Sequence, residues 1–239
     1  MKAGIFHRQG GPEVLCYEEV PDPTPGPGEV LLRVLASAVN RLDLKAREGR
    51  PEVWPMPHIG GLDVVGEVAA LGAGVEGWRP GERAVVYPIL SCGRCALCRR
   101  GDNALCPEQR VFGFQTQGGF AELAVAPAKN LIRIPPTADP IRLAAVPTVY
   151  LTAWRMLVGR AGLKAGETVL IHSIGSGVGS AALQIARYLG AQVIGTASSD
   201  AKLIRAPRTG RPCGRQLHPR GRLRSGPLPH RRARRGCGR

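Results

Sequence analysis

Four cysteines lie within fifteen residues, at Cys92, Cys95, Cys98 and Cys106, with the spacing C-x2-C-x2-C-x7-C. Adjacent C-x2-C pairs can turn their sulfurs toward one centre, and four thiolates form the closed tetrahedral shell of structural Zn2+ sites. Reduced surface thiols, or disulfides in a secreted chain, are the alternative interpretations. The spacing predicts one structural zinc ion, with no coordination position left for a substrate.

The net charge of +15 is concentrated at one end of the chain. Residues 1–200 hold 20 Lys and Arg against 18 Asp and Glu, whereas residues 201–239 hold 13 Lys and Arg and no acid. This split removes most of the argument for nucleic-acid binding that the overall charge would make. The basic tail also lacks the aromatic side chains that stack on bases.

The N-terminal sequence MKAGIFHRQGGPEVL has neither the pattern of a signal peptide nor an apolar run that could span a membrane. We therefore expect a cytoplasmic protein with no membrane partner. A reducing compartment also keeps clustered thiols available for a metal.

Two patterns of secondary structure follow each other along the chain. Within 1–127, short β-like runs at 30–37, 66–70, 83–88 and 121–125 alternate with turns rich in Pro and Gly. Dense turns between short strands predict a compact β-barrel-like domain. A single helix is predicted over 140–157, where apolar residues recur at helical spacing.

The segment from 167 to 199 predicts one β-α-β unit of a parallel sheet. The strand over 168–172 is continuously apolar, as expected for a strand buried on both faces. A helix over 180–189 ends at Gly190, and a second strand covers 192–196. His172, at the end of the first strand, is expected to be a satisfied core histidine, whereas His58 is expected in a loop without a recognisable partner.

A glycine-rich turn connects the first strand of this unit to the helix. Glycine lets a diphosphate approach the backbone, and the helix N-terminus supplies free N–H groups and partial positive charge. The match to G-x-G-x-x-G is imperfect, because Ser180 stands at its sixth position. The predicted coenzyme site, with a purely structural turn as the alternative, comprises Gly175, Ser176, Gly177, Val178 and Gly179.

The end of the second strand favours NADP(H) over NAD(H). An acid there would bind the ribose 2′-hydroxyl of NAD(H), but the sequence reads Thr-Ala-Ser-Ser over 196–199. Ser198 and the nearby cation of Lys202 suit a 2′-phosphate better. The alternative is that Lys202 is a solvated residue at the start of a helix.

Together these segments resemble the medium-chain dehydrogenase/reductase superfamily, the group of zinc-type alcohol dehydrogenases and quinone oxidoreductases. The resemblance covers about 1–203 and rests on AVNRLDLKAREG, PHIGGLDVVGEV, the CGRCALC lobe, GGFAEL and HSIGSGVGSAALQIA. It implies a mixed fold: a GroES-like catalytic domain over 1–127 with a zinc lobe at about 88–110, then a partial Rossmann domain over 128–203. It also implies a homo-oligomer, either a dimer or a tetramer.

Three positions depart from the pattern of the alcohol dehydrogenases. Where these enzymes carry the ligands of a catalytic zinc, this chain has Asn40, Leu62 followed by Asp63, and Thr148. Leu cannot bind metal, and Asn and Thr are poor ligands for zinc. We therefore expect no catalytic zinc, and hydride transfer between NADP(H) and a carbonyl, enone or quinone of a small-molecule substrate.

The N-x-x-D stretch resembles that of the quinone oxidoreductases, which implies that Asn40 and Asp43 line the substrate pocket. The same resemblance places Thr152 near the nicotinamide ring. Two alternatives stay open: an alcohol or aldehyde dehydrogenase of the same superfamily, and a non-catalytic zinc-binding module whose basic tail contacts nucleic acid or acidic surfaces.

The basic tail at 204–239 differs from the rest of the chain, with twelve arginines and no acid, valine or aromatic residue. Such a segment cannot bury enough apolar surface to offset its ordering entropy, so we expect disorder. Codons for 213–223 can be chosen so that reading one base later gives AVVNYTREDD, which resembles the family's continuation. This suggests a frameshift near 204–208 that impairs activity; a genuine basic tail is the alternative.

Overall fold

A computed structural model describes residues 1–49, 55–199 and 202, together with the backbone of a strand at Cys213–Gln216. The chain divides into two compact units, Met1–Thr148 and Val149–Arg239. Among the residues described, no helix is both long and apolar enough to cross a membrane.

The first unit is built from antiparallel strands in three sheets. The largest sheet has the order β10-β6-β5-β3-β9, beside a three-stranded sheet β2-β1-β4 and a two-stranded sheet β7-β8. Each predicted run overlaps a strand, which confirms the β-rich domain, although the runs at 83–88 and 121–125 extend beyond β6 and start before β9. The strands are β1 Lys2–Phe6, β2 Leu15–Glu19, β3 Glu29–Ala38, β4 His58–Ile59, β5 Asp63–Leu71, β6 Arg83–Val86, β7 Ile89–Leu90, β8 Arg110–Val111, β9 Leu123–Pro127 and β10 Leu131–Ile134.

The core of this unit comes from alternation along the central strands. In β3, the side chains of Val30 and Leu32 are fully buried. On the paired strand β5, Val64 is also fully buried and Val68 is 1 % exposed. Because successive side chains of a strand point to opposite faces, one face of the sheet becomes apolar. Phe112 packs into the same cluster and closes it near the cysteine lobe.

In the described part of the first unit the α-helices are α1 Arg41–Glu48, α2 Ala96–Arg99 and α3 Pro140–Ala144. Helix α4 Pro147–Trp154 begins at the end of this unit and continues in the second as a π-helix over Arg155–Arg160. The prediction of one helix over 140–157 is wrong, because the helix is interrupted at Ala145 and Val146. Pro147 has no N–H to continue the ladder and disfavours helical geometry in the preceding residue. It begins α4 instead, where a missing N–H costs nothing.

The second unit contains the β-α-β arrangement predicted from the sequence. Strands β11 Thr168–Ile171, β12 Gln192–Ala197 and β13 Cys213–Gln216 form a parallel sheet in that order, with helix α5 Gly177–Tyr188 between the first two. The apolar face of α5 buries Ala181, Leu183 and Ala186. The helix begins three residues earlier than predicted, because Ser176 caps it through its hydroxyl, which accepts a hydrogen bond from Gly179 N at 3.0 Å.

The expectation that β11 is buried on both faces is wrong. Leu170 is 53 % exposed and Thr168 is also exposed, whereas Ile171 is buried. Within the described residues β11 lies at the edge of its sheet and pairs only with β12. Its packing partner is α5, which covers a single face, so alternate residues of the strand remain exposed.

Strand β13 lies inside the segment for which we expect disorder, and its four residues depart from that expectation. The other residues of the basic tail lie outside those described. The strand coincides with the codons whose shifted reading gives Ala-Val-Val-Asn, a sequence typical of a buried parallel strand.

Candidate functional site

The four cysteines of the lobe converge as their spacing predicts. Their sulfurs all lie within 4.8 Å of one another, and Cys92 Sγ is 3.9 Å from Cys98 Sγ. Four Zn–S bonds of about 2.3 Å in a tetrahedron place the sulfurs about 3.8 Å apart. Free thiols at this separation fit a Zn2+ ion with little rearrangement.

Backbone amides point at these sulfurs. The N–H groups of Cys95 and Cys92 donate to Cys92 Sγ and Cys106 Sγ, both at 3.4 Å, and Cys98 N donates to Cys95 Sγ at 3.5 Å. Donation from the backbone of Arg94 and Cys95 lowers the pKa of Cys92 to about 6, while partial burial raises the pKa of Cys98 to about 11. Amide donors stabilise thiolates, so the lobe has the donor set of a closed tetrathiolate metal site.

A second cluster of polar groups surrounds the start of α1, where the sequence predicts catalytic residues. Asn40 precedes the helix, and its N–H donates to Asp43 Oδ2 at 2.6 Å. The other oxygen of Asp43 accepts a hydrogen bond from Gly61 N at 2.9 Å. Asp43 is only 7 % exposed, and burial raises its pKa to about 6, with a smaller contribution from the carboxylate of Asp63.

Asp63 is the most buried acid of this cluster, at 1 % exposure. Its Oδ2 accepts a hydrogen bond from Asn40 Nδ2 at 2.9 Å. Its Oδ1 accepts from both Thr148 N at 3.0 Å and Thr148 Oγ1 at 2.6 Å. Burial raises the pKa of Asp63, and these donors oppose the shift by stabilising the carboxylate.

The structure therefore brings together three of the residues that stand where the sequence departs from the catalytic-zinc pattern. Asn40, Asp63 and Thr148 are in direct contact, whereas Leu62 is 1 % exposed and belongs to an apolar cluster with Phe6. Among the residues that the structure describes, the one group of three or more close His, Cys, Asp or Glu ligands is the cysteine lobe. An open pocket of about 350 Å3 adjoins Asn40 and is lined by Val39, Asn40, Arg41, Leu44, Lys45 and Glu48.

Asp63 is a functional candidate that the sequence analysis names only as the residue after Leu62, in a segment that differs from the alcohol dehydrogenase pattern. The signal is an acid directly before the apolar run Val-Val-Gly, because a carboxylate in a buried strand requires hydrogen-bond partners. Its partners are 23 and 85 residues away in the chain.

The glycine turn lies between β11 and α5, as predicted. At Gly179 an added Cβ would lie 2.3 Å from Ser173 O and 2.9 Å from Ile174 Cα, so only glycine allows this close approach of the helix to the turn that precedes it. None of Gly175, Gly177 and Gly179 has a positive φ; the left-handed residue of the turn is Ser173, at φ 53°. Backbone N–H groups in the first turn of α5 have no acceptor within the helix, so they can donate hydrogen bonds to a diphosphate.

The residues predicted to select the coenzyme lie together at the carboxyl end of the sheet. Lys202 Nζ donates to Ser198 Oγ at 2.9 Å, and both side chains are exposed. Lys202 also lies against the turn, since a Cβ on Gly175 would be 3.3 Å from Lys202 Cβ. Thr152 lies in α4 and is exposed.

Both histidine expectations are wrong. His172 is exposed rather than in the core, and its Nδ1 is 3.1 Å from Thr196 Oγ1, because the strand before it lies at a sheet edge. His58 is fully buried in β4, with Nε2 3.3 Å from Gly113 O and its ring 5.2 Å from that of Phe6. Burial lowers the pKa of His58, which suits a neutral structural imidazole.

Comparison with known proteins relates the chain to the alcohol dehydrogenases. Residues 26–136 match the family described as the alcohol dehydrogenase GroES-like domain. The acryloyl-coenzyme A reductase of Metallosphaera sedula is 36 % identical over 206 residues, which are 84 % of this chain and 60 % of that protein.

Two solved structures extend the comparison. The crystal structure of an NAD-dependent alcohol dehydrogenase is 43 % identical with a TM-score of 0.87, covering 92 % of this chain and 65 % of that one. A cobalt- and zinc-bound thermostable alcohol dehydrogenase from Pyrobaculum aerophilum is 37 % identical with a TM-score of 0.84, covering 90 % and 65 %. The chain thus spans about three fifths of the length of the relatives it matches.

Proposed function

Because the chain belongs to the zinc-type medium-chain dehydrogenase/reductase superfamily, we propose that it is an oxidoreductase that transfers hydride between NADP(H) and a carbonyl, enone or quinone. In this proposal the cysteine lobe holds one structural zinc, and no catalytic zinc takes part. The substrate is a small molecule.

The hydrogen-bonded cluster of Asn40, Asp63 and Thr148 is the observation that supports this chemistry. The Asp63 carboxylate already accepts three hydrogen bonds, and Leu62 offers no donor atom to a metal. In the zinc-dependent route, a Lewis acid stabilises the alkoxide during oxidation of a saturated alcohol. An activated acceptor needs only a positioned hydrogen-bond donor at the oxygen that gains negative charge, and the amide of Asn40 can be that donor.

The name of one relative favours a conjugated acceptor. An acryloyl thioester has a carbon–carbon double bond conjugated to a carbonyl, as an enone has, and the relative named for its reduction is 36 % identical to this chain. Relatives named alcohol dehydrogenases, such as that of Moraxella sp., favour the alternative of an alcohol or aldehyde substrate.

NADP(H) supplies the hydride when it is bound. Gly179 and the N-terminus of α5 would admit its diphosphate, and Ser198 and Lys202 would contact the 2′-phosphate. Val178 and Ser176 belong to the same turn, and Thr152 is proposed to pack near the nicotinamide. Asn40 and Asp43 are proposed to line the substrate pocket of this protein, which we expect to be a dimer or a tetramer.

Coenzyme oxidation followed at 340 nm tests the proposal. Purified protein containing one zinc per chain should oxidise NADPH more rapidly with an enone or a quinone than with the matching saturated ketone, at rates lowered by the proposed frameshift. A rate that requires a second metal ion per chain, or turnover of saturated alcohols only, would contradict it.

A further inference from the structure

We propose that Asp63 is a positioning residue, which fixes the orientation of the Asn40 amide so that this amide acts as hydrogen-bond donor to the acceptor carbonyl. The proposal rests on the proposed function for its catalytic consequence. The geometry itself is independent of the reaction.

The orientation follows from the chemistry of a carboxylate. An ionised Asp accepts hydrogen bonds and donates none, so the Asn40 group that faces Asp63 Oδ2 at 2.9 Å must be the NH2 and not the carbonyl oxygen. The capping box at the start of α1 favours the same orientation, because the Asn40 side chain accepts from the backbone N–H of Asp43. Asp63 adds the interaction that only the NH2 group can make, so it strengthens the preference for one of the two amide orientations.

Thr148 holds the carboxylate in place from the opposite side. It donates twice to Asp63 Oδ1, from its backbone at 3.0 Å and from its hydroxyl at 2.6 Å. With Asp63 1 % exposed, water cannot replace these donors, and hydrogen bonds to a buried charge are about twice as strong as neutral ones. Hydrogen bonds thus fix both oxygens of the carboxylate, and the fixed Oδ2 in turn determines where the Asn40 NH2 group lies.

Within the described residues, the Asn40 NH2 group donates a hydrogen bond to Asp63, and Asn40 lines the open pocket, so in this proposal its second N–H donates to the substrate there. The bond to a carboxylate also polarises the amide and makes its other N–H a stronger donor. A fixed donor needs no reorganisation when negative charge develops on the acceptor oxygen. Asp63 would therefore lower the barrier without touching the substrate.

The test compares Thr148→Ser, which keeps both donors, with Thr148→Val, which removes only the hydroxyl, and with Asp63→Asn, which replaces the acceptor. The first readout is the side-chain NH2 signal of Asn40, followed by nuclear magnetic resonance in protein labelled at asparagine nitrogen. In the parent chain and in Thr148→Ser, one of the two protons should exchange slowly with water. That protection should fall in Thr148→Val and be lost in Asp63→Asn.

The second readout is the kinetics of enone reduction with NADPH. We expect kcat to fall about tenfold or more in Asp63→Asn and a few-fold in Thr148→Val, with KM nearly unchanged. Because a smaller folded fraction would also lower the apparent kcat at unchanged KM, kcat is expressed per folded molecule, with the folded fraction measured by circular dichroism; a purely structural role leaves that value unchanged. If Asp63→Asn fails to fold, the comparison of Thr148→Val with Thr148→Ser tests the positioning role.

The outcomes separate the two proposals. A parent protein without NADPH-dependent reduction overturns the proposed function, while the Asn40 signals still decide the positioning. Unprotected Asn40 protons in the parent chain, or identical exchange in all variants, overturn the positioning role. Full protection combined with an unchanged kcat in Thr148→Val and Asp63→Asn overturns its catalytic part.

Discussion

Replacing Asp43 by Asn should change how the stability of the protein depends on pH. Burial raises the pKa of this carboxyl to about 6 from its ordinary value of 3.8. Between these two values the folded state keeps a proton that the unfolded state releases. The free energy of unfolding of the parent chain therefore falls as pH rises through this window.

The size of the effect follows from the shift. About two pKa units correspond to about 3 kcal/mol between the acid limit and neutral pH, of which about 2 kcal/mol falls between pH 4.5 and 7. Asn resembles the protonated carboxyl and does not titrate. The stability of Asp43→Asn relative to the parent should thus rise by about 2 kcal/mol from pH 4.5 to 7, on top of a constant offset from the altered hydrogen bonds.

The assay is urea denaturation at several pH values with saturating zinc, so that loss of metal at low pH is common to both proteins. Glu76→Gln, at an exposed carboxyl, serves as the control and should leave the pH dependence unchanged. If the difference between Asp43→Asn and the parent does not vary with pH, or falls as pH rises, the reasoning about a buried, destabilising carboxylate is refuted.

Further expectations concern the metal, the coenzyme, the turn and the reading frame. Elemental analysis should find about one zinc per chain, lost when Cys95 and Cys98 are both replaced by Ser; two zincs, or a zinc that survives, would count against the tetrathiolate site. Lys202→Ala should weaken binding of NADPH several-fold and leave NADH nearly unaffected in fluorescence titrations, whereas tighter binding of NADH by the parent contradicts the 2′-phosphate assignment. Gly179→Ala should lower the free energy of unfolding by about 1–3 kcal/mol, because its Cβ meets backbone; Gly177→Ala, whose Cβ meets a movable side chain, is the milder control. Sequencing the coding DNA should reveal family sequence one base out of register along the basic tail, and an intact frame without it would rule out the frameshift.

The cysteine lobe and the β-α-β unit could be predicted from the sequence because their determinants are local. A C-x2-C pair turns its sulfurs inward through the backbone of the loop itself, so the four cysteines converge wherever the lobe lies. The apolar face of α5 and the stop at Gly190 likewise depend on spacing within one element. Local determinants of this kind can be recognised without knowledge of the rest of the fold.

Only the tertiary structure determines which strands and helices pack against each other. The break before Pro147 follows a local rule, but the exposure of Leu170 depends on whether another strand lies beside β11, which an apolar run cannot reveal. The contact of Asn40, Asp63 and Thr148 joins residues 23 and 85 positions apart, and only the packing of β5 against the starts of α1 and α4 creates it. Sequence determines which groups are available, whereas burial and hydrogen bonding depend on distances that the chain sets only after it has folded.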